Sequence, residues 1–257
     1  MLQPEARARA RMVSKSIVTA RTVTALCGFA LLLCSCSYAK PWRNEPIGQE
    51  VNVAFVVDHN LLYLTDVTID NRAGRIFLST ASPRTVLDPR LVTELHGPKS
   101  SYVLRFGQKE ALQINPVSLN LGKTGDVMIG ADAWDSRAIS IDYVSGLLTY
   151  QKEGIHTELM TLYRFDAQPM VDVELDGRQI SAVVDTASPD TLELPGTTAS
   201  RRYAHVSIAG NDFGSIDVGV SPDVTQARVG NRLLSKFLVS IDYGRRVVGL
   251  WRDPRVH

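Results

Sequence analysis

The sequence predicts a mostly β protein made of two repeated lobes, and two observations carry this prediction. Short runs of valine, isoleucine, leucine and tyrosine recur from residue 51 onwards, separated by Asp-Asn, Asp-Gly, proline and glycine, as in strands joined by turns. The second observation is a phrase written twice, FLSTASPRT at 77–85 and VVDTASPDT at 183–191. Each copy follows an alternating run and a turn, so the two copies are expected in equivalent loops.

The repeat extends beyond this phrase in three ordered blocks. The first two blocks recur at a spacing of 106 residues: 67–72 matches 173–178, and 79–85 matches 185–191. The last block recurs at a spacing of 100 residues: 129–130 and 140–143 match 229–230 and 240–243. Agreement over ordered blocks predicts two β units of about 100 residues, 51–152 and 153–252, with a short tail at 253–257.

The element boundaries follow from the same patterns. Strands are expected at 51–57, 61–70, 75–79, 102–106, 139–143 and 147–151. Few stretches have a helical period, and short helices are expected only at 89–95 and 231–236.

The first 36 residues have the organisation of a signal peptide. Basic side chains precede an apolar run of 11 residues at 23–33, which is too short for a membrane span of roughly 20 residues. The run ends in Leu33-Cys34-Ser35-Cys36, which resembles the lipobox of bacterial lipoproteins. Cys36 is the expected lipidated residue, because the bulky Leu33 before Cys34 suits the signal peptidase poorly. A plain secretory signal is the alternative.

The polar segment 37–50 contains two prolines and is expected to be a tether between the lipid and the folded part. By resemblance to the lipoprotein sorting rule, Ser37 after the lipidated cysteine implies the outer membrane, facing the periplasm. All three cysteines lie within residues 1–36. The remaining chain therefore has no disulfide and no cysteine metal ligand.

The charge of the folded part argues against one class of partner, nucleic acid. Residues 1–36 carry a net charge of +4, which leaves −3 on residues 37–257 of a chain whose total is +1. A slightly acidic protein lacks the positive footprint that nucleic acid requires. Contact with the membrane is therefore expected through the lipid anchor and not through a basic surface.

Both halves resemble a lobe of the aspartic proteases of the pepsin and retropepsin kind. The family phrase is two hydrophobic residues, Asp, Thr or Ser, Gly, and Ser or Ala, followed later by two apolar residues and Gly and by a closing strand. The matching stretches are VVDTAS at 183–188 and RVG at 228–230 in the second half, and LSTAS at 78–82 and MIG at 128–130 in the first. The resemblance covers nearly all of residues 51–252. It implies a bilobal fold with a cleft between the lobes.

The resemblance also implies a catalytic site, from which this chain departs. In the family two aspartates share one proton, so that one acts as base and the other as acid. The expected site residues are Asp185, Thr186, Ser79 and Thr80, with the threonines joining the two loops. Ser79 stands where the first aspartate would be, and serine does not ionise near neutral pH. Without a partner, Asp185 is expected to ionise near its ordinary pKa of about 3.9.

The second departure is that alanine replaces the motif glycine in both halves, at Ala81 and Ala187. An added methyl group is expected to narrow the site and to restrict the backbone. Because the change is the same in both halves, it is interpreted as a tolerated form of the loop.

Other candidate residues are weaker. The five histidines have no metal-ligand spacing, and no GxSxG, Walker A or HExxH motif is present, so neither a cofactor nor a metal is expected. Asp142 and Asp242 are expected to have a structural role in turns. Asp88 and Asp190 are weak candidates for a replacement carboxylate. Tyr102 lies where the family has its flap, although an ordinary strand aromatic is the preferred interpretation.

Three functions remain open. The first is a pseudo-protease, whose cleft binds an extended peptide or a protein partner and cuts poorly or not at all. The second is an active aspartic endopeptidase in which Asp185 of two chains forms the dyad. Against it, the first lobe already offers the matching surface within the chain, so a monomer is expected rather than a homodimer. The third is a purely structural lipoprotein of the envelope.

Overall fold

The computed structural model describes residues 50–254, except 108–109, 135–136, 152–153 and 156. The expected signal peptide at 1–36, its lipidated Cys36, nearly all of the tether at 37–50 and the last three residues of the tail lie outside the described residues.

Strands dominate the described part of both halves. The first half contains β1 (Val51–Asp58), β2 (Leu61–Leu64), β3 (Val67–Ile69), β4 (Arg72–Ala73), β5 (Ile76–Leu78), β6 (Val86–Leu87), α1 (Pro89–Glu94), β7 (Tyr102–Phe106), β8 (Glu110–Ile114), β9 (Val117–Ser118), β10 (Val127–Ile129), a 3-10 turn (Ala131–Ala133), β11 (Ala138–Asp142) and β12 (Leu147–Gln151). The second half contains β13 (Thr161–Arg164), β14 (Met170–Leu175), β15 (Arg178–Val184), β16 (Leu192–Pro195), β17 (Arg201–Tyr203), β18 (Val206–Ile208), β19 (Asn211–Asp212), β20 (Ile216–Ser221), β21 (Arg228–Val229), α2 (Asn231–Leu234), β22 (Leu238–Asp242) and β23 (Val247–Trp251).

The mostly β, bilobal fold class is confirmed, and the expected elements are present with small differences. The strand expected at 61–70 is two strands, because the chain bends at residues 65–66 and β3 pairs with β7 while β2 pairs with β5. Both expected helices form and end within two residues of the expected ends. Helix α1 begins where Asp88 accepts a hydrogen bond from the backbone N–H of Arg90, with proline in the first turn.

The two halves pair strand to strand, through β22 and β11, in an 11-stranded sheet whose order is β13-β23-β22-β11-β12-β1-β2-β5-β10-β6-β9. Strands β11 and β22 are antiparallel, and Ser140 lies opposite Ser240 with 2.6 Å between the two hydroxyl oxygens. These serines are 100 residues apart, which is the repeat spacing. A local two-fold axis therefore passes between them, as in a self-complementary interface.

The same arrangement of strands places a loop at the end of each half's central strand. Strand β5 is parallel to β10, and β15 is parallel to β21. The backbone N–H of Ser79 donates to the carbonyl of Ile129 at 2.9 Å, and that of Asp185 donates to the carbonyl of Val229 at 3.0 Å. Residues 79–85 and 185–191, the part of the doubled phrase that follows each strand, thus leave the sheet in equivalent positions.

A glycine lies beneath each of these loops. A Cβ atom on Gly130 would overlap the backbone carbonyl of Arg84, and one on Gly230 would overlap the backbone carbonyl of Asp190. Only a residue without a side chain allows the loops to approach the following segment this closely. This contact explains why the glycine occurs in both repeats.

The apolar side chains of the two halves form one buried cluster, which extends from Val51 to Leu250. Its largest members, Trp134 and Tyr150, pack against each other with ring centroids 5.9 Å apart. Neither of the short helices described is long and apolar enough to cross a membrane.

Candidate functional site

The structure brings the four expected site residues together from loops far apart in the sequence. Ser79 and Thr80 follow β5, Asp185 and Thr186 follow β15, and all four are at most 4% exposed. The hydroxyl of Ser79 donates a hydrogen bond to Oδ1 of Asp185 at 3.3 Å, across 106 residues of sequence. A serine thus faces the carboxylate at the position where the repeat predicts an equivalent side chain.

The two threonines join the loops by reciprocal hydrogen bonds, as the resemblance implies. The hydroxyl of Thr80 donates to the carbonyl of Val184 at 2.5 Å, and the hydroxyl of Thr186 donates to the carbonyl of Leu78 at 2.9 Å. Each threonine hydroxyl also accepts from the backbone N–H of the other threonine, at 3.1 and 3.2 Å. Four buried hydrogen bonds therefore fix one loop against the other.

Two tyrosines and an asparagine support the threonines from behind, and the sequence analysis did not identify these roles. The hydroxyl of Tyr243 donates to the carbonyl of Thr80 at 3.4 Å. The hydroxyl of Tyr143 donates to Oδ1 of Asn231 at 2.6 Å, and Nδ2 of Asn231 donates to the carbonyl of Thr186 at 2.6 Å. A tyrosine of the other half thus holds the first-half loop directly and the second-half loop through Asn231. The sequence signal for these roles was the tyrosine that ends both copies of the repeated sequence SIDY, at 140–143 and 240–243.

The environment of Asp185 corrects the expectation that it ionises near its ordinary pKa. Burial raises the pKa of Asp185 above its ordinary value. The backbone N–H of Ala187, which donates to Oδ1 at 2.9 Å, the nearby Arg228 and the Ser79 hydroxyl offset only part of this effect. The sequence did not reveal this shift because it depends on how completely the two halves enclose the carboxylate.

An arginine lies beside Asp185, and the sequence analysis did not single it out. Nη1 of Arg228 is 3.5 Å from Oδ2 of Asp185, and its side chain is 39% exposed whereas that of Asp185 is 5% exposed. Arg228 lies opposite Glu193 in the pairing of β21 with β16. Burial, followed by the negative charge of Asp190, raises the pKa of Glu193. The sequence signal for Arg228 was that the second half has a charged residue in RVG at 228–230, where the first half has methionine in MIG at 128–130.

The first-half loop is held by groups that the second half does not repeat. The hydroxyl of Ser79 accepts from the backbone N–H of Ser82 at 3.1 Å. The carboxylate of Asp132 accepts from the backbone N–H and the hydroxyl of Thr85, at 2.7 and 2.6 Å. The equivalent of Asp132 in the second half is Arg232. The first-half loop is therefore ordered without any carboxylate at position 79.

Alanine at the motif glycine positions needs no unusual backbone. Neither Ala81 nor Ala187 is among the described residues with positive φ. The carbonyl of Ala81 accepts a hydrogen bond from Nε2 of Gln168 at 2.8 Å. The backbone N–H of Ala187 donates a hydrogen bond to Oδ1 of Asp185. The expected restriction of φ therefore causes no strain in these loops.

Several secondary candidates have structural roles. The carboxylates of Asp142 and Asp242 accept backbone N–H groups in the turns that follow, which confirms their expected turn role. Tyr102 is a buried residue of β7, which confirms the strand interpretation. The side chain of Asp88 is bound by Arg90 and by the backbone N–H of Leu121.

Asp190 is not part of the Ser79–Asp185 pair. Asp190 is exposed, and no described hydrogen bond joins its carboxylate to Asp185. Within residues 50–254 as described, no group of three or more His, Cys, Asp and Glu side chains could hold a metal ion.

Structural comparison identifies the fold. The chain is similar to the crystal structure of the aspartic proteinase from Irpex lacteus, with a TM-score of 0.50 and 10% sequence identity over 80% of this chain and 98% of that one. The chain has the aspartic proteinase fold. No family model matches the sequence, and no curated protein matches it. At this identity the likeness establishes the fold, and function has to be argued from the site.

Proposed function

We propose that the protein is an aspartic-protease-like pseudo-protease, which binds an extended peptide or a protein partner in the cleft between its lobes and cuts it poorly or not at all. The observation that carries this proposal is the 3.3 Å hydrogen bond between the Ser79 hydroxyl and Asp185. The family's chemistry needs two carboxylates that share a proton, so that one activates water and the other protonates. A serine hydroxyl satisfies the hydrogen bond but supplies neither role.

The framework of the site supports binding over a purely structural role. The reciprocal threonine bonds, both tyrosines and Asn231 hold the two loops in register around Asp185. A carboxylate that is 4% exposed costs free energy to bury, since its hydrogen bonds and Arg228 replace only part of its hydration. A protein that kept only the fold would be more stable with an apolar residue there. Retention of Asp185 is therefore an argument for a working cleft.

The alternative of a two-chain dyad is disfavoured by the contacts within the chain. A second copy of Asp185 would have to take the place of Ser79, and the four threonine hydrogen bonds and the pairing of β11 with β22 would have to break first. Groups within one chain meet at a high effective concentration, which a second chain does not match. We therefore propose a monomer.

The proposed location is the bacterial cell envelope. Lipidation at Cys36 would anchor the chain, Ser37 would direct it to the outer membrane, and residues 37–50 would hold the lobes away from the bilayer. The net charge of −3 on residues 37–257 supports a protein or peptide partner rather than nucleic acid.

The test combines cleavage and binding by the full-length protein in detergent. A denatured protein substrate is incubated between pH 3 and pH 7 with wild type, Asp185→Asn and Ser79→Asp, and binding of pepstatin, an extended peptide analogue, is followed by calorimetry. Asp190→Asn is the matched control, because it removes an exposed carboxylate of the same loop. We expect binding without cleavage by wild type. Cleavage by wild type that is lost in Asp185→Asn would refute the proposal, and failure of every extended peptide to bind would favour the structural role.

A further inference from the structure

The position of Arg228 differs between the two halves in a way that concerns Asp185 directly. Strand β21 carries Arg228 next to β15, which ends in the Asp185 loop, and the equivalent residue of β10 in the first half is Met128. Both segments have the same place in the fold and are followed by glycine. The methionine shows that the fold accepts an apolar residue there. The arginine is therefore an addition specific to the half that keeps the carboxylate.

The charges around Asp185 make Arg228 the only described cation in contact with it. Its Nη1 lies 3.5 Å from Oδ2, whereas the Ser79 hydroxyl binds the other carboxylate oxygen, Oδ1. The other titratable groups facing the site are Glu193 on β16 and Tyr243 in the turn after β22, and each is affected by the charge of Asp185. Glu193 is acidic and Tyr243 is a buried neutral phenol, so neither favours an ionised Asp185.

We propose that Arg228 is a positioning residue that favours the ionised form of Asp185, and that it is a second block on aspartic-protease chemistry, separate from Ser79. The proposal deepens the proposed function, since it concerns the same site. An opposite charge at this distance stabilises the ionised carboxylate, and the effect is greater for a buried group than for an exposed one.

The consequence is clearest in a chain that has its second carboxylate restored. In Ser79→Asp the pair must keep one proton: the ionised member takes a proton from water as the hydroxide adds to the peptide carbonyl, and the protonated member gives its proton to that carbonyl oxygen. As the adduct collapses, the carboxyl that took the water proton gives it to the leaving nitrogen and a hydroxyl of the adduct returns a proton to the other carboxylate, which yields a carboxylic acid and an amine and restores the pair. Arg228 favours the state in which both carboxylates are ionised, so the required proton is lost at lower pH.

The first test measures the titration of Asp185 by carbon NMR of the full-length protein labelled at aspartate, with Asp185→Asn to assign the signal. Arg228→Met, which copies Met128, is expected to move the midpoint of the Asp185 titration to higher pH. Arg228→Lys keeps the positive charge, and the midpoint of the Asp185 titration in this variant is expected to lie closer to that of wild type. Arg202→Met is the matched control, because Arg202 lies 3.5 Å from the exposed Asp217 and away from the site. An unchanged midpoint in Arg228→Met, or equal shifts in the Met and Lys variants, would overturn the proposal.

The second test compares cleavage of a denatured substrate by Ser79→Asp and by Ser79→Asp combined with Arg228→Met. At pH 5 the combined variant is expected to cleave about tenfold faster or more, the low end of the effect of an opposite charge on a carboxylate's proton affinity. Equal rates with measurable cleavage, or no cleavage by either variant, would count against Arg228 as a second block. Cleavage by wild type would instead refute the pseudo-protease proposal, and the NMR titration would still decide the role of Arg228.

Discussion

The reciprocal threonine bonds predict a large loss of stability in Thr186→Val. Valine has nearly the same shape as threonine, so the substitution leaves no cavity and removes only the hydroxyl. Two buried groups lose their partner, namely the backbone N–H of Thr80 and the carbonyl of Leu78. An unsatisfied buried polar group costs about 1–3 kcal/mol, so the free energy of unfolding should fall by about 2–5 kcal/mol.

The assay is urea unfolding of the full-length protein in detergent, followed by tryptophan fluorescence. With an m-value of about 2–3 kcal/mol/M, the midpoint should fall by about 1–2 M urea. Thr65→Val is the matched control, because its hydroxyl donates to the carbonyl of Ala54 on the protein surface, and its effect should stay within about 0.5 kcal/mol. A Thr186→Val midpoint equal to that of the control would refute the idea that these bonds fix the loops.

The same site can be tested by a double-mutant cycle. The hydroxyls of Thr80 and Thr186 each accept the N–H of the other residue. Thr80→Val should therefore cost a similar amount, and the double variant should cost less than the sum of the two single variants, since the loops lose their register at the first substitution. Strict additivity would indicate that the two threonines act independently.

Three further predictions concern the support of the site and the start of α1. Asn231→Leu should lower the free energy of unfolding by about 2–4 kcal/mol, because it strands a buried tyrosine hydroxyl and a backbone carbonyl; a urea midpoint equal to wild type would contradict this. Gly230→Ala should be strongly destabilising because its Cβ overlaps a carbonyl, whereas Gly219→Ala, where the nearest atom is 3.6 Å away, should not be; equal melting temperatures would refute the overlap. The hydrogen bond from Arg90 lowers the pKa of Asp88 to about 2. A lowered folded-state pKa stabilises the protein above the ordinary value of about 3.9, and this stability is lost as the pH falls towards 2. Asp88→Asn should therefore lower the melting temperature at pH 6 and make little difference at pH 2, and an equal difference at both pH values would show that the charge has no part.

The strands and the repeat could be predicted because their signals are local. Alternation of apolar residues and the turn residues between them depend on a few neighbouring positions, and the repeat spacing requires only that the sequence be compared with itself. The boundary errors are informative. The segment 61–70 alternates as one strand, but its two ends pair with different strands, β5 and β7, and the chain bends between them.

The pairing of the threonines could also be expected, because the doubled phrase marks equivalent loops on the two sides of a local two-fold axis. The roles of Asn231 and Tyr243 had weaker signals. Asn231 has alanine as its equivalent in the first half, and its three hydrogen-bond partners come from distant segments. Nothing within the neighbouring sequence distinguishes such a buried asparagine from one at the surface.

By itself the sequence determined that this protein is mostly β, that it has two repeated lobes, and that only one of the two equivalent loops carries a carboxylate. These properties follow from the residue types and their spacings alone. The tertiary structure decided the chemistry of that carboxylate. Burial of Asp185 raises its pKa, and Arg228, which follows it by 43 positions in the sequence, lies 3.5 Å away. Burial and charge separation depend on which segments the fold brings together, and for that reason they could not be obtained from the order of residues.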